Sequence, residues 1–215
     1  LRVNLSAMVA ARATRKYAPA STTDSKQPYT IIHTCVDDTC FGSDGEFRDR
    51  FFANLSKWLT DRGHPVSTIP WLFNIKRPLK SALRWFRENR QSFLIMEDYI
   101  RLSDFPRCIR QVWKSRQVCP GEHIFAPYTI TPLIKRERVR NASSAYNLKF
   151  LLYISGLKRW KQKGNRCDRF IDMFENLAPE RPPVRAIKKL FPEALTIGYQ
   201  HAIAPMDLIG YAMTP

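Results

Sequence analysis

Each of four predicted strands in this chain is followed by a pair of polar side chains that could take part in acid–base chemistry. The pairs are Asp37-Asp38, Glu97-Asp98, Glu175-Asn176 and Gln200-His201. The carboxyl ends of parallel strands meet at one edge of a sheet, and open α/β sheets place their ligand sites there. Carboxylates that crowd together raise one another's pKa, which suits a general base, and a nearby imidazole can exchange a proton. The sequence therefore predicts an acid–base site at this edge.

The same acids also have a purely structural interpretation, because acids that follow strands often cap the next helix. We assign Asp104, beside Ser103, to such a cap. His33 lies inside an apolar strand, so we expect a hydrogen-bonded core residue or a ligand-facing residue there rather than a metal ligand. The cysteines and histidines show no zinc spacing, and no Gly-rich phosphate loop is present. No metal site and no resident cofactor are predicted.

Apolar runs separated by helical patterns place these polar pairs on a sheet. The predicted strands are Tyr29–Val36, 65–72, 92–96, 169–174 and Leu195–Tyr199. Helices are predicted between them, one of them beginning at Pro182-Pro183 and ending at Pro192. Strands that alternate with helices pair in parallel. The fold class predicted is α/β, a doubly wound, mostly parallel Rossmann-like sheet.

Three segments between the strands carry further expectations. Ser43 and Glu46 fit a capping box, with apolar residues at helical spacing as far as Leu59 behind it. Residues 118–135 contain three prolines and are predicted to form a long loop or a short β excursion. Such long connections are often functional. Residues 136–163 are predicted to form one long helix with a basic end.

The predicted domain organisation is a short leading segment, one α/β domain and the beginning of something further. Residues 1–28 are an upstream segment with a polar linker, 29–204 the Rossmann-like domain, and 205–215 the start of an incomplete segment. The chain begins without Met and stops directly after an apolar stretch. We therefore expect a fragment that ends before a second domain.

The charge balance is strongly basic, with 35 Lys and Arg against 19 Asp and Glu and a net charge of +16. Nucleic acid, an anionic membrane surface and a phosphorylated or acidic substrate are all compatible partners. The alternative explanation of the net charge is that the chain is a fragment and that the missing part is more acidic. Trp85, Trp113 and Trp160 lie near basic stretches, but the Trp residues fall mostly on predicted buried faces, which weakens the nucleic-acid interpretation. Five scattered cysteines without a CxxC pair indicate reduced thiols and a cytoplasmic location.

Two blocks of the chain resemble a family of bacterial surface-carbohydrate biosynthesis proteins. They are IIHTCVDDTCFGSDGEFRDRFFANLSKWLTDRGHPVSTIPWL and FENLAPERPPVRAIKKLFPEALTIGYQHA. These proteins look like glycosyltransferases of the two-domain GT-B type that build capsules and O-antigens. One departure is that Ala202 follows His201, where many related transferases have Gly.

The resemblance implies an amino-terminal, acceptor-side domain whose nucleotide-sugar donor would bind a domain beyond Pro215. Asp38 is then expected to deprotonate the acceptor hydroxyl, with Glu175 and His201 positioning substrate or neutralising charge. Asp37, Glu97, Asp98, Asn176 and Gln200 are the expected substrate-binding residues.

The partners expected on this hypothesis are a glycan or lipid-linked glycan acceptor and an anionic inner-membrane surface. Two rival hypotheses stay open. One is a basic nucleic-acid-binding or processing α/β protein, although nucleic acid is the less favoured partner. The other is a non-catalytic α/β scaffold.

Overall fold

The computed structural model describes residues 2–18, 27–117, 121–125, 127–142, 145–174 and 181–200. The helices are α1 (Arg2–Thr14), α2 (Leu55–Asp61), α3 (Leu79–Glu88), α4 (Asp104–Gln117), α5 (Thr131–Ala142), α6 (Ala145–Gln162) and α7 (Arg181–Leu190). The strands are β1 (Tyr29–Val36), β2 (Val66–Leu72), β3 (Ile124–Phe125), β4 (Tyr128–Thr129), β5 (Cys167–Met173) and β6 (Leu195–Tyr199).

The main sheet is four-stranded and fully parallel, in the order β2-β1-β5-β6. A single parallel bridge between Thr68 and Phe93 adds the next stretch of chain outside β2. Strand β2 lies on one side of β1, whereas the later strands β5 and β6 lie on its other side. The strand order therefore reverses between β1 and β5. This is the topology of a doubly wound, Rossmann-like sheet, so the predicted fold class is confirmed.

Both faces of the sheet are covered. Neighbouring strand residues point to opposite faces, and Ile31 and Ile32 accordingly belong to different buried clusters. Ile31 packs in the cluster to which α6 and α7 contribute, whereas Ile32 packs in the cluster to which α2 contributes Leu59. Burial on both faces explains why the strands read as nearly continuous apolar runs rather than as alternating ones.

The predicted strand 92–96 is the first correction. Only Phe93 bridges to β2, and Met96–Tyr99 forms a 3₁₀ turn. Leu94, Ile95 and Met96 are buried in core clusters to which both strands and helices contribute. A short apolar run signals burial and cannot by itself distinguish a strand from another buried segment.

The helix predicted from Ser43 is the second correction, since only Leu55–Asp61 is helical. The Asp44 carboxylate accepts the backbone N–H of Glu46 at 3.0 Å, and no capping box forms. Asp49 likewise accepts the N–H groups of Phe51 and Phe52 at 2.9 and 3.0 Å. Such side-chain bonds offer the backbone an alternative to the helix, and here they hold a loop.

Two further segments differ from expectation in detail. The long helix predicted over 136–163 is two helices, α5 and α6. The β excursion within 118–135 is the hairpin of β3 and β4, after which α5 begins at Thr131. Helix α1 lies within the expected upstream segment, yet its Met8 and Ala11 are buried in the core. Residues 205–215 lie outside the described part of the chain.

Candidate functional site

The predicted polar pairs that the structure describes all lie at the carboxyl edge of the sheet. Asp37 and Asp38 follow β1, Glu97 and Asp98 follow the segment bridged to β2, and Gln200 follows β6. Glu175, Asn176 and His201 lie outside the described residues.

Asp37 is held at the end of β1 by nitrogen and oxygen donors from Thr39 and Arg50. Its carboxylate accepts the backbone N–H of Thr39 at 2.9 Å, the hydroxyl of Thr39 at 2.6 Å and the guanidinium of Arg50 at 2.6 Å. Partial burial alone would raise the pKa of Asp37, but the hydrogen bonds from Thr39 and Arg50 outweigh it and lower this pKa. Asp37 therefore caps the following 3₁₀ turn as an ionised carboxylate.

Asp38 joins the loop after β1 to the loop after β2. Its carboxylate accepts the backbone N–H of Lys76 at 2.7 Å and lies 3.3 Å from Nε of Arg77, whose guanidinium stacks over Phe41 at 3.6 Å. The hydrogen bond from Lys76, with Arg77 assisting, lowers the pKa of Asp38. A lowered pKa keeps the carboxylate ionised at neutral pH, while making it a weaker proton acceptor than an ordinary Asp.

Glu97 and Asp98 point to different partners. Asp98 lies between Arg15 and Arg87, at 3.0 and 2.6 Å, and so ties the end of α1 to the end of α3. Glu97 accepts the hydroxyl proton of Tyr153 at 3.0 Å. Burial raises the pKa of Tyr153 well above its usual value, so this phenol stays protonated as the donor.

The expected mutual raising of carboxylate pKa values is not seen at Asp37 and Asp38, because hydrogen bonds from Thr39 and Arg50 lower the pKa of Asp37 and hydrogen bonds from Lys76 and Arg77 lower that of Asp38. Arg50 neutralises Asp37 and Arg77 neutralises Asp38, whereas Asp98 uses Arg15 and Arg87. Sharing one sheet edge therefore does not make these acids one cluster. Their roles in catalysis and substrate binding stay predictions.

A buried His–Asp pair lies between the two strands at which the sheet order reverses. Nδ1 of His33 in β1 is 2.7 Å from Oδ1 of Asp172 in β5, and the side chains are only 3% and 4% exposed. The imidazole also stacks on Phe170, with ring centroids 6.3 Å apart. Burial raises the pKa of Asp172, and the hydrogen bond from His33 opposes that rise. His33 is thus the hydrogen-bonded core residue that its apolar surroundings predicted.

Asp172 and Asp49 were missed by sequence reasoning. The signal for Asp172 is an acid within the apolar run of β5, where an unpaired charge would be costly. Asp49 lies within the loop between β1 and α2 and accepts the hydroxyl of Thr34 at 2.9 Å. Burial raises the pKa of Asp49. Both acids are thus tied to β1, Asp49 through Thr34 and Asp172 through His33.

A cavity of about 190 Å³ opens beside the carboxyl end of β2, between α1, α3 and α6. Its wall includes Pro70 and Leu72 of β2 and Glu97. Glu97, one of the predicted substrate-binding residues, therefore lines a space large enough for a small molecule.

Among the described residues, no group of three His, Cys, Asp or Glu side chains could hold a metal ion. None of the helices in the described part of the chain is both long and apolar enough to cross a membrane.

Comparison with known proteins gives no relative from which a class could be transferred. No protein-family model matches the chain. No curated protein and no solved structure matches it either. The class that fold and site define is therefore a doubly wound, Rossmann-like α/β protein with charged loops at its carboxyl edge.

Proposed function

We propose that this chain forms the acceptor-side part of a glycosyltransferase of surface polysaccharide biosynthesis, which moves a sugar from a nucleotide-activated donor to a glycan acceptor. The observation that carries the proposal is the reversal of strand order between β1 and β5. Open α/β sheets bind ligands in the crevice at such a reversal, and Asp37-Asp38 follow one of the two strands there. The resemblance of two blocks to surface-carbohydrate proteins supplies the reaction.

Asp38 is the proposed base for the acceptor hydroxyl. Its contacts with Lys76 and Arg77 keep it ionised, and its side chain remains 32% exposed, so an acceptor can reach it. Close approach of an acceptor to Arg77 would loosen that ion pair and raise the pKa of Asp38 toward its ordinary value. Glu175 and His201 are proposed to position the acceptor.

The test is sugar transfer by the natural full-length protein that contains this chain, measured with a panel of labelled nucleotide sugars and polysaccharide acceptors. Asp38→Asn is expected to lower turnover by at least about 100-fold, which is the usual contribution of a general base. Asp44→Asn is the matched control, since Asp44 is also an exposed carboxylate paired with an arginine, Arg48.

Unchanged turnover in Asp38→Asn would remove Asp38 from the mechanism. Failure of the unaltered protein to transfer sugar from any donor would contradict the proposed reaction itself.

Exposed basic, aromatic and aliphatic side chains on α4, the β3–β4 hairpin and α5 support the proposed membrane partner. They include Arg110, Trp113, Lys114, Tyr128, Leu133 and Lys135. Trp113 is 65% exposed rather than buried as predicted, because α4 packs into the core through its earlier residues Phe105 and Cys108. Exposed aromatic and aliphatic side chains beside lysines and arginines are typical of surfaces that lie on anionic lipid.

Exposed Leu133 favours lipid over the nucleic-acid alternative, because aliphatic side chains do not stack on bases. Co-sedimentation with vesicles containing phosphatidylglycerol separates the two. Lys114→Ala is expected to weaken vesicle binding about fivefold, from roughly 1 kcal/mol per cation near the surface. Trp113→Ala should weaken it too, while the control Trp58→Ala, on exposed Trp58 of α2, should not. Single-stranded RNA that binds with nanomolar affinity and competes with the vesicles would favour the alternative.

A further inference from the structure

The cavity beside β2 is mostly apolar and is the right size for a small organic molecule. Val3, Ala7, Leu72, Leu83, Ile100 and Leu152 are among the residues that line its 190 Å³. An engineered apolar cavity of about 150 Å³ in another protein binds benzene, so this volume admits a ring or short chain with one or two further atoms. Its apolar wall would bind the hydrocarbon part of such a molecule.

Asn4 of α1 supplies an unused hydrogen-bond donor in the wall of this cavity. The residue is 9% exposed, and its Nδ2 has no hydrogen-bond partner. A buried amide without a partner costs free energy that a bound acceptor would recover. Since the other atoms around the cavity are largely carbon, an oxygen atom on a ligand could supply this acceptor.

Glu97 supplies an acceptor in the same wall. One carboxylate oxygen already accepts the hydroxyl of Tyr153, and an ionised carboxylate has capacity for further donors. Lys149 also lines the cavity, with its ammonium 5.4 Å from the centre of the Tyr153 ring. A hydroxyl is the simplest group that can both accept from Asn4 and donate to Glu97.

We propose that this cavity binds a small, mostly apolar alcohol, with its hydrocarbon part against α1, α3 and α6. The hydroxyl accepts from the Asn4 amide and donates to the Glu97 carboxylate. The proposal concerns binding only and does not depend on sugar transfer.

The test uses two probes of matched shape, benzyl alcohol and toluene, titrated into ¹⁵N-labelled protein. Backbone amide shifts at Ala7, Leu83 and Leu152 report occupancy of the cavity. Benzyl alcohol is expected to bind about tenfold more tightly than toluene, which corresponds to one satisfied buried donor. Equal affinity for the two probes, or shifts absent from these residues, would overturn the proposal.

Variants assign the preference to Asn4. Asn4→Leu keeps the size of the side chain and removes the donor, so the preference for benzyl alcohol should fall well below tenfold, with only the hydrogen bond to Glu97 left. Ala7→Leu fills part of the cavity and should weaken both probes. Thr196→Val is the matched control, because Thr196 of β6 also has a buried oxygen without a partner but does not line the cavity. A tenfold preference that survives Asn4→Leu, or disappears in Thr196→Val, contradicts the role given to Asn4.

Discussion

The acids above the end of β1 and the acid buried within β5 have the same side chain and opposite shifts in pKa. Asp37 and Asp38 are partly exposed, and hydrogen bonds and arginines lower their pKa values. Asp172 is almost fully buried beside His33, and burial raises its pKa. These acids lie on or next to the two strands that flank the reversal of the sheet order.

The difference shows that access to water and the nearest cation decide the chemistry of an acid here, rather than its place after a strand. The partly exposed pair Asp37-Asp38 remains ionised and holds loops together at the sheet edge. The buried pair costs desolvation of two polar groups, which the short hydrogen bond between them offsets only in part. In return it joins β1 to β5 at one register, where His33 lies opposite Asp172. Solvent thus reaches the partly exposed acids, whereas the buried pair fixes the register of the two strands.

The largest expected effect follows from breaking the buried pair. Asp172→Ala leaves the His33 imidazole buried without its partner, and we expect a loss of about 3–5 kcal/mol in the free energy of unfolding. Urea denaturation at neutral pH, followed by tryptophan fluorescence, measures it. Truncation of Asp37 to Ala should cost much less, because its ion pair with Arg50 is 22% and 61% exposed.

Two further variants test whether the His33–Asp172 pair stabilises the protein through its hydrogen bond or only avoids an unpaired buried polar group. Asp172→Asn keeps an acceptor for the His33 N–H and should recover part of the loss. The double variant His33→Leu/Asp172→Leu removes both polar groups and should be close to the unaltered protein in stability, as apolar replacements of buried pairs often are. A single Asp172→Ala that cost no more than Asp37→Ala would show that burial does not separate the two regions as argued.

The main strands could be predicted from the sequence, because buried apolar runs bounded by polar residues leave little alternative. Tyr29–Val36 and Leu195–Tyr199 have the bounds that the sequence predicted. The prediction of a helix beginning at Ser43 was wrong, because two aspartates accept hydrogen bonds from nearby backbone N–H groups. The periodicity of apolar side chains does not reveal that such hydrogen bonds replace those of a helix.

The partners of the candidate site residues were beyond the reach of sequence patterns. His33 and Asp172 are 139 positions apart, and only the register of β1 against β5 brings them together. The arginines that neutralise Asp38 and Asp98 likewise come from other loops and helices. The edge at which polar residues gather was predictable from strand order, whereas their individual ion pairs depend on loop paths that no local pattern encodes.

The smallest expected effect is a pH dependence of opposite sign at the two regions. The folded pKa of Asp37 lies below its ordinary value of 3.8, so this residue contributes stability above that pH and loses it as the pH falls through the folded pKa. The folded pKa of Asp172 lies above 3.8, so its contribution is greatest below that pH and declines as the pH rises toward the folded pKa.

Urea unfolding between about pH 3 and pH 5 tests this reversal, because the pKa values of Asp37 and Asp172 are shifted in opposite directions from the same ordinary value of 3.8. Asp37→Asn should flatten the loss of stability on acidification by less than about 1 kcal/mol, since solvent screens a surface ion pair. Asp172→Asn should change the slope in the other sense, because the unfolded protein then no longer releases a proton that the folded protein retains. Slopes that shift in the same direction for both variants would contradict the comparison, since one environment would then govern both acids.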